Sequence, residues 1–238
     1  MIAILASTQD EILYFVSRMN VTTKTKIYGN IEANIGTLSN EEVILAVTGE
    51  SNYLSELVSA VIIERYRPYL VINVGLAVSF SPSLRQGDIF VAERYYFADV
   101  NFTKKGKYLY GQIPGCSPYF VSDTALNEET EHSAYSLSDR YIQRGFLLSG
   151  NEFINTQGPL EKLVGERFLS EEGLMAYDNV SAGIALSCEI GQVSLLTVKS
   201  IACRVGKEDE RLNYLRKGLE VMPTIGQIVA RILLSKER

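Results

Sequence analysis

The sequence predicts an α/β fold, a three-layer sandwich in which helices cover a mixed, mostly parallel central sheet. Three observations predict it. Short β-branched apolar runs, Leu70-Val71-Ile72 the clearest, lack the polar alternation of a half-exposed strand and suit strands covered on both faces. These runs alternate along the chain with segments of helical spacing. Glycine-containing turns follow the runs, at the carboxyl ends of strands, where open α/β sheets bind small ligands.

Taken in order, residues 2–6 form a buried strand, Ser7-Thr8-Gln9 a turn, and Asp10 to Arg18 a helix whose first-turn acidic residues suit its dipole. Lys26 to Leu38, broken at Gly29-Asn30 and Gly36, fits a β-hairpin pair, and Glu42 to Thr48 a further strand. Gly49-Glu50-Ser51-Asn52 leads into a helix from Tyr53 to Tyr66, with Leu54, Leu57, Val58, Val61 and Ile62 at helical spacing and Pro68 as its stop. The next strand starts at Leu70 and turns at Asn73-Val74-Gly75; Ser79 to Gln86 is a turn, Ile89 to Ala92 a strand, and Glu93 to Val100 continues extended. The irregular stretch from Asn101 to Asp123 carries Phe102, Tyr108, Tyr110, Tyr119 and Phe120, a density of aromatic residues that marks a functional loop or an interface. Thr124 to Ser138 reads as a helix, Tyr141 to Ser149 as a strand, Gln157 to Glu166 as a helix and Met175 to Tyr177 as a short strand. Ala182 to Ile190 is helical, Val193 to Ser200 a core strand, and Leu212 to Leu234 a terminal helix that Pro223 kinks or splits.

A chain of 238 residues without a linker-like segment is expected to form one domain, 1–238. No apolar run is read as a membrane span. The formal charge of −5, with lysines and arginines scattered, argues against nucleic acid as a partner. The three cysteines, Cys116, Cys188 and Cys203, form no C-x-x-C pair, and the start enters a strand directly, so a reducing, cytoplasmic setting is expected. The single histidine, His132, sits among acidic residues and excludes chemistry that needs a histidine pair or a histidine-rich metal site. Neither a metal nor a cofactor is expected.

The turn Ile72-Asn73-Val74-Gly75-Leu76-Ala77, followed by Leu84-Arg85-Gln86-Gly87-Asp88-Ile89, resembles the purine nucleoside phosphorylase family, and within it the 5′-methylthioadenosine/S-adenosylhomocysteine nucleosidases. Tyr110 to Cys116, Leu148 to Asn155 and Ile2 to Ala6 fall in the same family order, so the resemblance covers nearly the whole chain. It implies a nucleoside phosphorylase-like fold, a small purine nucleoside as ligand, and a homodimer whose 101–123 region closes over a neighbour's pocket.

Hydrolysis of an N-ribosidic bond needs a carboxylate to activate water, a proton donor for the departing purine and acceptors for the ribose hydroxyls. By resemblance, Glu11 is the water-activating glutamate; a glutamate stabilising a helix amino terminus also explains it. Phe153 and Ile154 match the base site, where the ring stacks on adenine and the isoleucine backbone bonds the purine edge; a core Phe-Ile pair is the plain alternative. Asp178-Asn179-Val180 stands where the family has Glu-Met-Glu, so the ribose-gripping second glutamate is replaced by Val180, while Asp178 and Asn179 keep polar groups there. Val198 to Cys203 matches Val-Arg-x-Ile-Ser-Asp, which puts Cys203 at the position of the aspartate that serves purine N7 and Ala202 at the serine. A thiol, with a reference pKa of ~8.5, is a weak donor, and a small buried hydrophobe explains Cys203 equally. Leu76, Ala77 and Val78 line a glycine loop bulkier than the family's Gly-Ser-Ala-Gly-Gly, and Glu50 brings a carboxylate near the position of water or ribose. Two functions follow as expectations: a nucleoside N-ribohydrolase with Glu11 and Cys203 as its catalytic pair, or a non-catalytic member that binds a nucleoside or a protein. A third function, phosphorolysis, requires an arginine-lined phosphate pocket, and the sequence alone assigns none.

Overall fold

The computed structural model describes residues 1–154, 157–168 and 171–235; Asn155, the last residue of the Leu148 to Asn155 motif, lies outside them. Strand β1 (Ile2–Ala6) is buried at every position. Its side chains alternate between two cores. Ala3 and Leu5 face one apolar cluster, and Ile2 and Ile4 the other. The same two-sided burial holds for β4 (Glu41–Val47) and the first half of β5 (Leu70–Ser79), which pair in parallel with β1 on either side.

Helices supply the outer layers. On one face α2 (Asn52–Tyr66) and α5 (Ser181–Gly191) contribute Val58, Ile62, Ala182 and Ile184. Their approach is close: a Cβ on Gly183 would stand 2.4 Å from the Asn52 carbonyl oxygen, so only glycine fits there. On the other face α1 (Gln9–Arg18), α3 (Thr124–Leu137) and α8 (Met222–Ser235) bury Ile12, Phe15, Leu126, Ile225, Ile228 and Ile232 against the sheet. Each such side chain contributes about 1.5–3 kcal/mol by leaving water.

The remaining strands are β2 (Asn20–Tyr28), β3 (Ile31–Leu38), β6 (Ile89–Phe97), β7 (Phe120–Val121), β8 (Ile142–Ser149), β9 (Leu174–Asp178) and β10 (Ser194–Arg204). The hairpin β2/β3 extends the sheet beyond β4 and begins at Asn20, six residues before the alternation from Lys26 predicted it. On the other side of β5 lies β10, parallel, and then β6, antiparallel to β10; β8 and β9 follow in parallel. The last residues of β5 then pair with β9, Val78 with Tyr177 and Ser79 with Ala176, so this half of the sheet closes on itself. A mixed sheet flanked by helices is the fold class the sequence predicts.

Two expectations are corrected. The strand from Leu70 does not end in a turn at Asn73-Val74-Gly75 but runs on to Ser79, because pairing with β10 continues through Gly75 to Arg204. Within 101–123, half-buried Tyr119 lies 5.4 Å from Tyr96 and half-buried Tyr110 5.6 Å from Phe168 between ring centroids, while Phe102 is exposed. Finally, Tyr214–Ser235 is long and apolar enough to span a bilayer by composition, which the sequence reading passed over. It is two helices, α7 (Tyr214–Leu219) and α8, with Pro223 in the first turn of the second, and the buried face of α8 belongs to the core.

Candidate functional site

A cavity of about 410 Å³ opens across the carboxyl ends of the central strands. Glu11, Ala77, Val78, Phe153, Ile154, Asp178, Asn179 and Val180 all line it, so eight of the nine residues expected at the site come together. Cys203 is the ninth and is not among the lining residues.

Glu11 reaches the cavity through a local sequence pattern. Thr8 caps α1 and Glu11 stands three residues on, so each side chain bonds the other's backbone in a capping box: Glu11 N–H donates to Thr8 Oγ1 at 3.4 Å, and Thr8 N–H to Glu11 Oε2 at 3.0 Å. Oε2 also accepts from Ser7 N–H at 2.8 Å and Ser7 Oγ at 2.6 Å. Among the described residues Oε1 accepts from Leu76 N–H alone, at 3.0 Å, which leaves it one lone pair for a further donor. The approach to β5 depends on Gly75, at φ +136°: a Cβ there would lie 2.7 Å from Oε1. Both readings of Glu11, helix cap and cavity carboxylate, therefore hold for the same side chain.

Asp178 is spoken for. Its Oδ1 accepts from Ser149 Oγ at 2.8 Å and from the N–H groups of Val180 and Ser181 at 3.2 and 3.1 Å. Its Oδ2 accepts from Ser181 Oγ and pairs with Lys199 Nζ at 3.2 Å. Lys199 in turn donates to Asn73 Oδ1 at 3.1 Å and Val74 O at 3.3 Å, so the buried charge is paired and hydrogen-bonded. Asp178 thus holds the floor together rather than offering a free acceptor. Asn179 gives both amide hydrogens to the carbonyls of Gly150 (2.7 Å) and Glu152 (2.8 Å), which fixes its amide plane. Val180, buried, adds only apolar surface.

The strand that carries the thiol expected at the base end has a β-bulge there. Ile201 pairs with Ala77 and Cys203 with Val78, so Ala202 is the extra residue of β10. Ala202 lines the cavity, and Cys203 enters a cluster with Val78, Leu148, Ile154 and Tyr177. Burial, with Glu210 nearby and Arg211 opposing, pushes the thiol up to about 11. It is a protonated hydrophobe at neutral pH.

Phe153 stands at the mouth, 59% exposed, its ring centroid 5.9 Å from that of Tyr214 at 53°. Ile154 is buried behind it. Tyr177 lies beneath, donating its hydroxyl to the Glu152 carbonyl at 2.6 Å; burial, with Asp178, Asp99 and Glu152 nearby, drives the phenol far above its usual range, so it stays a donor. Ser7, Thr8, Asn151, Tyr177, Tyr214 and Leu215 complete the lining and escaped the sequence reading. The Thr8-x-x-Glu11 spacing carried a signal for the first pair; Tyr214 and Leu215, in a helix that splits, carried none.

Among the described residues no lysine or arginine lines the cavity, whereas Glu11, Glu50 and Asp178 do. Glu50 is exposed there, immediately before Ser51, the N-cap of α2.

The model of the phosphorylase superfamily matches residues 1–233. A 5′-methylthioadenosine/S-adenosylhomocysteine nucleosidase of Buchnera aphidicola is 31% identical over 201 residues, 84% of this chain and 77% of that protein. One from Anoxybacillus flavithermus is 28% identical over 87% of each chain. Among solved structures, the Neisseria meningitidis 5′-methylthioadenosine/S-adenosylhomocysteine nucleosidase in complex with methylthio-immucillin-A superimposes with a TM-score of 0.89 over 98% of each chain at 22% identity, and the Campylobacter jejuni enzyme with 0.88 over 98% of each at 22%. With its closed mixed sheet and a cavity at the strand ends, the chain belongs to the phosphorylase superfamily and is similar within it to the 5′-methylthioadenosine/S-adenosylhomocysteine nucleosidases.

Proposed function

We propose that the protein is a purine nucleoside N-ribohydrolase of the methylthioadenosine/S-adenosylhomocysteine nucleosidase type, with Glu11 as the general base that activates water. The observation that carries this reading is the Glu11 carboxylate, held by four donors with one lone pair of Oε1 left over, in a cavity without a cationic side chain among the described residues. A lining of carboxylates repels a phosphate dianion, whereas water needs only an acceptor, so hydrolysis is favoured over phosphorolysis. The purine stacks on Phe153 over Ile154 and Ala77, and the ribose lies toward Glu11, against Val78, Asp178, Asn179 and Val180. Leaving-group departure lacks a carboxylic acid at the base end, because Ala202 and not Cys203 faces the cavity, so turnover is slow for this fold.

That same substitution favours a second reading, a member that binds the nucleoside without cleaving it. Incubation of the pure protein with 5′-methylthioadenosine, S-adenosylhomocysteine and inosine, with and without phosphate, separates the two by the free base released. Base without phosphate supports the hydrolase, phosphate dependence refutes it, and calorimetric binding without base supports the second reading. The protein works as a homodimer in a reducing, cytoplasmic setting; its three free cysteines and the exposed Tyr53, Leu54 and Leu57 of α2 fit that assignment.

A further inference from the structure

The cavity's charge points to one class of ligand within the nucleosides. Of its three carboxylates, Asp178 is neutralised by Lys199, and Glu11 accepts from Ser7, Thr8 and Leu76, its one remaining lone pair being the one assigned to water. Glu50 differs. Among the described residues it has no hydrogen bond or ion pair, although it lines the cavity. A structural duty at the start of α2 does not account for it: Ser51 accepts Leu54 N–H at 3.2 Å and Asn151 Oδ1 accepts Asn52 N–H at 3.0 Å, so the helix end is served by others.

Topology says which end of a ligand Glu50 meets. The cavity follows the strand ends in the order β10, β5, β1, β4, with Ala202 on β10 and Glu50 just after β4. At roughly 4.8 Å per strand, these two ends are about 14 Å apart. A nucleoside whose base lies by Ala202 and Phe153 sets its sugar over Glu11 and directs its 5′ substituent toward Glu50. We propose that Glu50 makes the protein select nucleosides that carry a positive charge, an ammonium or a sulfonium, on the 5′ side of the sugar. The inference rests on the nucleoside reading above and deepens it. An unpaired carboxylate in a cavity that Glu11 also lines, with no cation in the lining among the described residues, raises the local concentration of cations and offers them a partner of opposite charge.

The test is calorimetric titration of the full chain with 5′-amino-5′-deoxyadenosine, protonated at pH 7, and with 5′-methylthioadenosine, its neutral counterpart. The amine is expected to bind about tenfold more tightly at low salt, a difference of about 1.4 kcal/mol, with the advantage shrinking as salt is added. In Glu50→Gln the ratio should fall to near one, and in Glu50→Lys it should invert. Equal binding of the two by the wild type, or an amine preference that survives in Glu50→Gln, overturns the inference while leaving the nucleoside reading in place. Failure of both compounds to bind overturns the nucleoside reading and this inference with it.

Discussion

Lys199 and Asp178 form an ion pair of 3.2 Å in which both side chains are almost wholly withdrawn from water. The pair ties β10 to the end of β9 beneath the cavity, and Asn73, Val74, Ser149, Val180 and Ser181 supply further hydrogen bonds to it. Breaking such a pair from one side strands a charge in the interior. Lys199→Met is expected to cost about 3–5 kcal/mol of stability, read from urea unfolding. The double variant Asp178→Asn, Lys199→Met should lose less than the sum of the single losses, since no lone charge remains. A Lys199→Met protein as stable as the wild type would show that the pair is dispensable.

Glu11 and Gly75 make a second contact on which function hangs. Because a side chain at Gly75 would occupy the place of Oε1, Gly75→Ala must push the carboxylate out of position and strain a backbone at φ +136°. Base release should then fall with the folded state retained. Glu11→Gln removes the base but keeps an acceptor for Ser7 and Thr8, so it should cost about 10²–10⁴-fold in rate, the usual share of general base catalysis. Full activity in Glu11→Gln excludes the proposed mechanism.

These two clusters also mark what a sequence can and cannot display. The strands Ile2–Ala6 and Glu41–Val47 were legible because uninterrupted apolar residues have one plain use, burial on both faces of a parallel sheet. Glu11 was legible because its place in the capping box and its place in the cavity lining coincide within one turn of helix. Gly75 misled: glycine signals a turn, but here its missing Cβ makes room for Glu11 inside a continuing strand. The bulge at Ala202 left no signal, and its extra residue puts Ala202 in the cavity lining and Cys203 in the apolar cluster around Val78, Ile154 and Tyr177. The Asp178–Lys199 pair was hidden for a different reason, since it joins β9 and β10, which come together through their common partner β5.

The cysteines predict a simple titration. Cys188 and Cys203 are buried and Cys116 only partly so, so a thiol reagent at pH 8 should label Cys116 first in the native protein and all three in denaturant. Burial holds the Cys203 thiol up to about 11, above its unfolded value, and so the folded state keeps a proton that the unfolded chain releases. The stability this contributes is complete below the unfolded pKa of ~8.5 and drains away as pH rises toward 11. Cys203→Ala should therefore unfold with a shallower loss of stability between pH 9 and 11. An identical slope would mean that the thiol is not shielded.

Val180 sets the last expectation, on sugar recognition. It lines the cavity as buried apolar surface, and the neighbouring Asp178 spends its oxygens on Lys199, Ser149, Ser181 and two backbone N–H groups. No free carboxylate from this turn is left to bind a vicinal diol, so the protein should bind adenosine and 2′,3′-dideoxyadenosine within about a factor of three, less than one net hydrogen bond is worth. Val180→Glu supplies two acceptor oxygens at the mouth of the same turn and should favour the diol by about tenfold, or about 1.4 kcal/mol. Competition binding with the two nucleosides checks both figures. A wild-type protein that already prefers the diol tenfold would mean that the Asn179 carbonyl oxygen, which accepts no hydrogen bond among the described residues while its amide hydrogens go to Gly150 and Glu152, has taken over the sugar.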